Sequence, residues 1–185
     1  MAEVKNYVQL KDFFKGESVE LINWYSKIKH NLNKESFNSE GIGETCIYGD
    51  PFFDTYLIYK KDFIQKQIKK DLLPLSSIFK TYVKGSTEPF SRRSDLYEIT
   101  CVINMGDDGV SWPLIIGNEK KDELELPKGE AIVFSGNIFD SGRKGTYEGD
   151  HMFLLELHYG FYRKHNECFR YDGRMDLGTP PLQKK

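Results

Sequence analysis

The sequence predicts a mainly β domain with flanking helices, an α+β chain whose strands close into a sandwich or barrel. Three observations carry that expectation. After about Leu72 the apolar pattern shortens to strand period over six runs, 77–83, 96–104, 112–116, 123–126, 131–135 and 151–159. Gly, Asp and Asn separate the runs, as tight turns require. Thirteen Phe and eleven Tyr supply the large side chains that a pleated, half-buried surface accommodates. So many short strands in so little chain favour closure, which removes exposed edges.

Taken in order, the chain opens on a polar stretch, Met1-Ala2-Glu3-Val4-Lys5, which does not read as a signal peptide. Residues 18–32 carry Leu21, Trp24 or Tyr25, Ile28 and Leu32 at three-to-four spacing, an amphipathic helix expected to lay that stripe on the core. Residues 33–44 read as a loop. Asp50-Pro51 is a helix start, Asp as N-cap and Pro at the first helical position. Phe53, Leu57, Ile64 and Ile68 then form one stripe, predicting a single helix to about Lys70. The strands follow. Residues 1–160 form one domain on this reading, and 161–185, ending in Gly-Thr-Pro-Pro-Leu-Gln-Lys-Lys, an arm that can order against a neighbour.

Composition narrows the function classes. A formal net charge of −2 gives no footing for a polyanion or nucleic-acid binder. No apolar run is long enough to span a bilayer. Cys46, Cys101 and Cys168 are odd in number and lack metal-type spacing, so they read as reduced thiols. The expected location is cytoplasmic or inside a viral particle. Six Arg against twenty Lys, with only two Ala, is the bias of AT-rich coding, which favours a phage, marine bacterial or similar genome.

Several short motifs recur in one order: Tyr48-Gly49-Asp50-Pro51, Tyr82-Val83-Lys84-Gly85, Tyr97-Glu98-Ile99-Thr100, Trp112-Pro113, Lys128-Gly129-Glu130-Ala131 and Leu157-His158-Tyr159. In that order and spacing they resemble a bacterial and phage, prolyl-hydroxylase-like branch of the 2-oxoglutarate/Fe(II) oxygenases, over roughly residues 45–160. The resemblance implies a double-stranded β-helix, or jelly roll, with the N-terminal helices packed outside. It also implies where an iron triad would lie. An H-x-D is expected six residues after Gly85, where the chain reads Ser91-Arg92-Arg93. An H-W-R is expected where it reads Ser141-Gly142-Arg143.

The substitutions at Ser91, Arg93 and Ser141 bear directly on chemistry. A non-haem ferrous site needs two imidazoles and a carboxylate on one face of the metal. A serine hydroxyl is a poor ligand near neutral pH, and arginine has no lone pair to give. Sequence alone therefore predicts no catalytic residue, no metal ligand set and no cofactor at these three vacated positions. A relocated site would have to be built from His30, His151, His158 or His165 with Asp95, Glu98 or Asp140.

Three groups remain as anion-binding candidates: Arg93, Arg143 and His151. The resemblance implies an anchor for the 2-oxoglutarate carboxylate ten residues after Ser141, where His151 stands. Arg143 matches the Arg of H-W-R, with packing or ion pairing as its plainer role. Arg93 either fills the vacated centre beside an acid such as Asp140 or points to the surface. The expectation is a non-catalytic oxygenase-like domain working as a structural or protein-interaction component in a homo- or hetero-assembly, with a phage particle or its assembly as the leading specific expectation. The alternatives are a hydroxylase with an unusual metal site and an iron-free small-anion sensor.

Overall fold

Alternation of apolar side chains along the strands decides the layering of the molecule. The structure is a computed structural model, and it describes residues 7–33 and 44–177. The elements are β1 (Tyr7–Leu10), α1 (Glu17–Asn33), β2 (Glu44–Tyr48), α2 (Pro51–Tyr59), α3 (Lys61–Ile68), β3 (Leu72–Tyr82) and β4 (Ile99–Asp107). There follow β5 (Leu114–Gly117), β6 (Lys121–Leu124), β7 (Ala131–Phe134), β8 (Ser141–Gly142), β9 (Met152–Phe161) and a 3-10 segment, Lys164–Gly173. A larger sheet runs β1-β7-β4-β9-β3-β2 and a smaller one β6-β5-β8, every pairing antiparallel. An isolated bridge from Ser91 to Ser141 continues the smaller sheet. This is the jelly roll expected.

The larger sheet is buried on both faces. Phe79, Cys101, Ile103, Val133, Phe153, Leu155, Leu157 and Tyr159 point to the helices, where they meet Ile22, Phe53, Leu57 and Ile64. The alternate residues Tyr82, Val102, Ile132, Phe134, Met152 and Leu154 point to the smaller sheet, where they meet Trp112, Leu114, Ile116 and Leu124. Register keeps the two sets apart, because a slip of one residue would exchange every side chain between faces.

Asp50 caps α2 as its sequence promised, accepting from the backbone N–H of Phe52 at 2.9 Å. The predicted single helix over 51–70 is instead two, α2 and α3, meeting at Lys60. Its stripe is correctly placed, since Phe53, Leu57 and Ile64 are fully buried.

The stripe of α1 is not. Leu21, Trp24, Ile28 and Leu32 are exposed, and the buried side carries Ile22, Asn23 and Ser26. The physical reason lies on β4. Its register shifts between Asn104 and Gly106, and Gly106 has φ +151°. A Cβ at Gly106 would fall 2.0 Å from Asn23 Oδ1, so the helix approaches the sheet where the sheet has no side chain. Small and polar residues suit that close approach better than Leu or Trp.

The C-terminal segment is also different from the arm expected after residue 160. Arg174 is buried and donates through Nη1 to the buried carboxylate of Asp54 at 2.8 Å. Asp54 in turn accepts from the Ser77 hydroxyl at 2.7 Å. Leu177 packs on the helix-side core. Apart from Asn33 and Glu44, the loop read over 33–44 lies outside the described residues, as do Met1–Lys5 and Pro180-Pro181.

Trp112 is 6% exposed, meets Tyr82 edge-on at 5.2 Å and donates its indole N–H to Lys144 O. Trp112→Ala is expected to cost about 3–5 kcal/mol in denaturant unfolding, through lost contacts and the cavity left. Arg174→Ala should cost about 3–5 kcal/mol as well, because it strands a buried carboxylate. An unchanged midpoint for the second variant would mean that the segment is an accessory after all.

A buried charge cluster at the candidate site

Two charged side chains in otherwise apolar strands, joined by three from the connecting segments, build the site. Lys80 on β3 and Glu156 on β9 both take the barrel-facing parity, beside Tyr82 and Leu154. Glu88 and Arg93 come from the loop between β3 and β4, and Arg143 directly follows β8. The bridge between Ser91 and Ser141, with reciprocal backbone bonds of 3.0 Å, draws that loop onto the smaller sheet. Two of the three positions singled out in the sequence, Ser91 and Ser141, are therefore neighbours, and Arg93 extends from the same turn.

The cluster is closely paired. Arg93 Nη2 lies 2.6 Å from Glu156 Oε1, and its Nε is 3.2 Å from Oε2, a bidentate fork. Lys80 Nζ is 3.3 Å from both Glu156 and Glu88. Arg143 Nε donates to Glu88 at 3.0 Å, while its guanidinium lies 5.0 Å from the centre of the Trp112 ring. Arg93 also donates to the Ser91 hydroxyl at 3.3 Å. Three cations thus pair with two carboxylates in one cluster, which touches Ser91 through Arg93.

Electrostatics follow from burial and pairing. Burial alone would raise Glu156, but Lys80, Arg93 and His158 together outweigh it and hold the carboxyl well below its ordinary 4.5. Glu88 is lowered from the same value, burial again being opposed by Lys80 and Arg143. Arg93 is raised further, chiefly by the charge of Glu156.

A polar relay continues to the 3-10 segment. His158 Nε2 is 3.2 Å from Glu156, its Nδ1 is 3.1 Å from Thr100 Oγ1, and the Tyr97 ring stacks on it at 4.2 Å. Burial lowers the His158 pKa below 6.5. Tyr97 donates to Asp172 at 2.8 Å, and Tyr48 donates to the same carboxylate oxygen. Burial, first of all, pushes the Tyr97 hydroxyl up to about 12.

Of the anion-binding candidates, Arg93 and Arg143 come together and His151 does not. His151, just before β9, lies tilted against Phe153 with ring centres 5.0 Å apart, on the helix-side parity, away from Glu156. The partner of Arg93 is Glu156 rather than Asp140, which instead pairs with Arg92 at 3.0 Å. Glu98 is held by Arg163, and His165 is exposed. Among the described residues no group of three or more His, Cys, Asp or Glu is placed to share a metal ion. Sequence reading missed Lys80, Glu88 and Glu156. Glu156 did leave a signal, as a lone charge inside the apolar run Phe153-Leu154-Leu155-Glu156-Leu157. Glu88 left none.

The acid limb of stability has two steps on this geometry. His158 has a lowered folded pKa, so the unfolded chain takes a proton first, and stability falls as pH drops below 6.5. Glu156 and Glu88 are also lowered, so their contribution is present above 4.5 and is lost as pH falls further through their folded values. His158→Gln should remove the first step and keep the second, in unfolding free energies measured from pH 7.5 downward.

No family model matches the sequence, and no curated protein matches it. Solved structures do. A prolyl-4-hydroxylase from Pseudomonas putida aligns with a TM-score of 0.66 at 14% identity, covering 86% of this chain and 94% of its own. The carbocyclase SnoK of nogalamycin biosynthesis, a non-haem α-ketoglutarate-dependent protein, also gives 0.66, at 10% identity over 97% of this chain and 90% of its own. A viral collagen prolyl hydroxylase from Paramecium Bursaria Chlorella virus-1 gives 0.60 at 10% identity, covering 86% of this chain and 98% of its own. Identities this low speak for architecture alone, and the architecture is the double-stranded β-helix of the 2-oxoglutarate/Fe(II) oxygenases.

Proposed function

We propose that this chain is a non-catalytic oxygenase-fold domain, a pseudoenzyme that serves as a structural or protein-interaction component. One observation carries the reading: Arg93, hydrogen-bonded to the Ser91 hydroxyl, is drawn into a cluster of ion pairs, Lys80–Glu156–Arg93 and Arg143–Glu88. Residues so arranged do not fit a ferrous ion. Each carboxylate is committed to two or more cations, and a dication there would meet three positive side chains, a repulsion of several kcal/mol even at intermediate dielectric. Neither imidazole of a facial triad stands at 91 or 141. No reaction step is derived through iron or 2-oxoglutarate.

The phage-particle version of this reading rests on the Lys-rich, Ala-poor composition and on the branch that the motifs resemble. The small-anion alternative keeps two observations: three cations face two carboxylates, and Arg143, whose Nη2 is buried without a hydrogen-bond partner, lines a cavity of about 210 Å³ beside Trp112.

Anaerobic titration with Fe(II) and assay for succinate test the reading. The expectation is no stoichiometric binding and no turnover of 2-oxoglutarate. Tight one-to-one binding or succinate formation would sink it. Restoring Ser91→His, Arg93→Asp and Ser141→His together should bring back measurable metal affinity. For that variant the Glu156→Gln change is made in parallel, since removing Arg93 strands a buried carboxylate.

A further inference from the structure

The outward face of α1 is the largest feature that the barrel does not explain. Leu21, Trp24, Ile28 and Leu32 are 66%, 62%, 52% and 73% exposed. Their three- and four-residue spacing puts them in one line along a 17-residue helix. The helix is docked on β4 through its other side, so the stripe cannot roll inward. Together these side chains offer on the order of 500 Å² of apolar surface, near the upper end of what a monomer leaves exposed.

We infer that this face pairs with the same face of a second copy, the two α1 helices antiparallel about a two-fold axis near Trp24. Self-pairing requires a patch complementary to itself, and the charges of α1 supply that. Glu17 and Glu20 occupy its first turn, and Lys27 lies in its second half beside Trp24, while Lys29 and His30 turn to the core side, against Asp50 and Phe153. An antiparallel pair sets the acidic end of one helix against Lys27 of the other and opposes their dipoles favourably. A parallel pair would set like against like. In the antiparallel arrangement Leu21 falls opposite Ile28 of the second copy, with Glu20 flanking its Lys27. Lys27 already sits 5.3 Å over the Trp24 ring, and the Glu20–Lys128 contact crosses open surface, where a solvent-screened pair contributes little.

A membrane surface fits the stripe less well. Membrane-lying helices carry a Lys- and Arg-rich polar face, whereas Glu17 and Glu20 offset Lys27 and Lys29 here, and the opposite side of α1 is core. A pair of stripes would bury roughly 1,000 Å², the size of a weak and reversible interface rather than an obligate one. This inference goes beyond the pseudoenzyme reading and does not depend on it, since iron titration and self-association are separate measurements.

Sedimentation velocity of the full chain from micromolar to millimolar concentration tests it. A concentration-dependent dimer is expected, with the Trp24 emission moving to the blue as it forms; the Trp112→Phe background isolates that signal. Trp24→Lys should weaken self-association at least about tenfold while leaving the fold, followed by circular dichroism, intact. Glu20→Lys and Lys27→Glu should each weaken it, and the two together should restore it. A monomer at every concentration overturns the inference, as does a dimer indifferent to Trp24→Lys. Singles without effect overturn the antiparallel arrangement, and binding to phosphatidylcholine/phosphatidylglycerol vesicles without self-association would assign the stripe to lipid instead.

Discussion

Two carboxylates taken out of water, Glu88 and Glu156, constrain the polar half of the barrel. Each is sealed inside the fold, where an unpaired charge would cost several kcal/mol. The cost is met by fixing Lys80, Arg93 and Arg143 around them. That requirement reaches outward. Arg93 has to leave its loop and enter the barrel, which the Ser91–Ser141 bridge permits. Arg143 has to lie flat against Trp112, which ties the polar half to the apolar one. His158 has to stay neutral beside Glu156, with Tyr97 and Asp172 closing over it.

Such a cluster is poor evidence of stability in itself. Apolar residues of the same volume would often hold a core equally well, and the better-attested role of buried ion pairs is to specify one arrangement. Here they add to the backbone hydrogen bonds at Ser91, Arg93 and Glu88 that already hold the loop over 83–98 against β8 and its flanks. On the proposed reading this replaces the organising role that a central ion would have in an oxygenase barrel. A guanidinium with five directed donors suits that role better than lysine, because its fork fixes the angle as well as the distance of its partner.

Strand positions along the chain were legible because alternation carries them. Each of the six predicted runs overlaps an observed strand, the largest offset at a start being five residues, at β3. The strands missed were β1, β2 and β8, which are short or lie at sheet edges and need tertiary partners to form. Helix faces were less legible. Phe53, Leu57 and Ile64 were placed correctly because their stripe is the most apolar side of α2 and α3. The α1 stripe was placed inward on the same rule and lies outward, since Gly106 makes Asn23 and Ser26 the better fit to β4. An amphipathic pattern says that a face seeks apolar company, not which neighbour provides it.

Counting from Gly85 and from the later turn singled out Ser91, Arg93 and Ser141 in the sequence, and the structure joins Ser91 to Ser141 in one bridge. The partners gathered around Arg93 could not be read, because Glu156 and Lys80 sit on central strands where parity, not motif, decides which way a side chain points. Asp140 was the nearer acid in sequence, yet it flanks the outward-facing turn and takes Arg92. Desolvation explains the exchange. A surface aspartate, half in water, gains little from a buried guanidinium, while Glu156 has no water to fall back on. The buried acid needs the arginine more than the exposed one does, and that difference is what turns Arg93 inward.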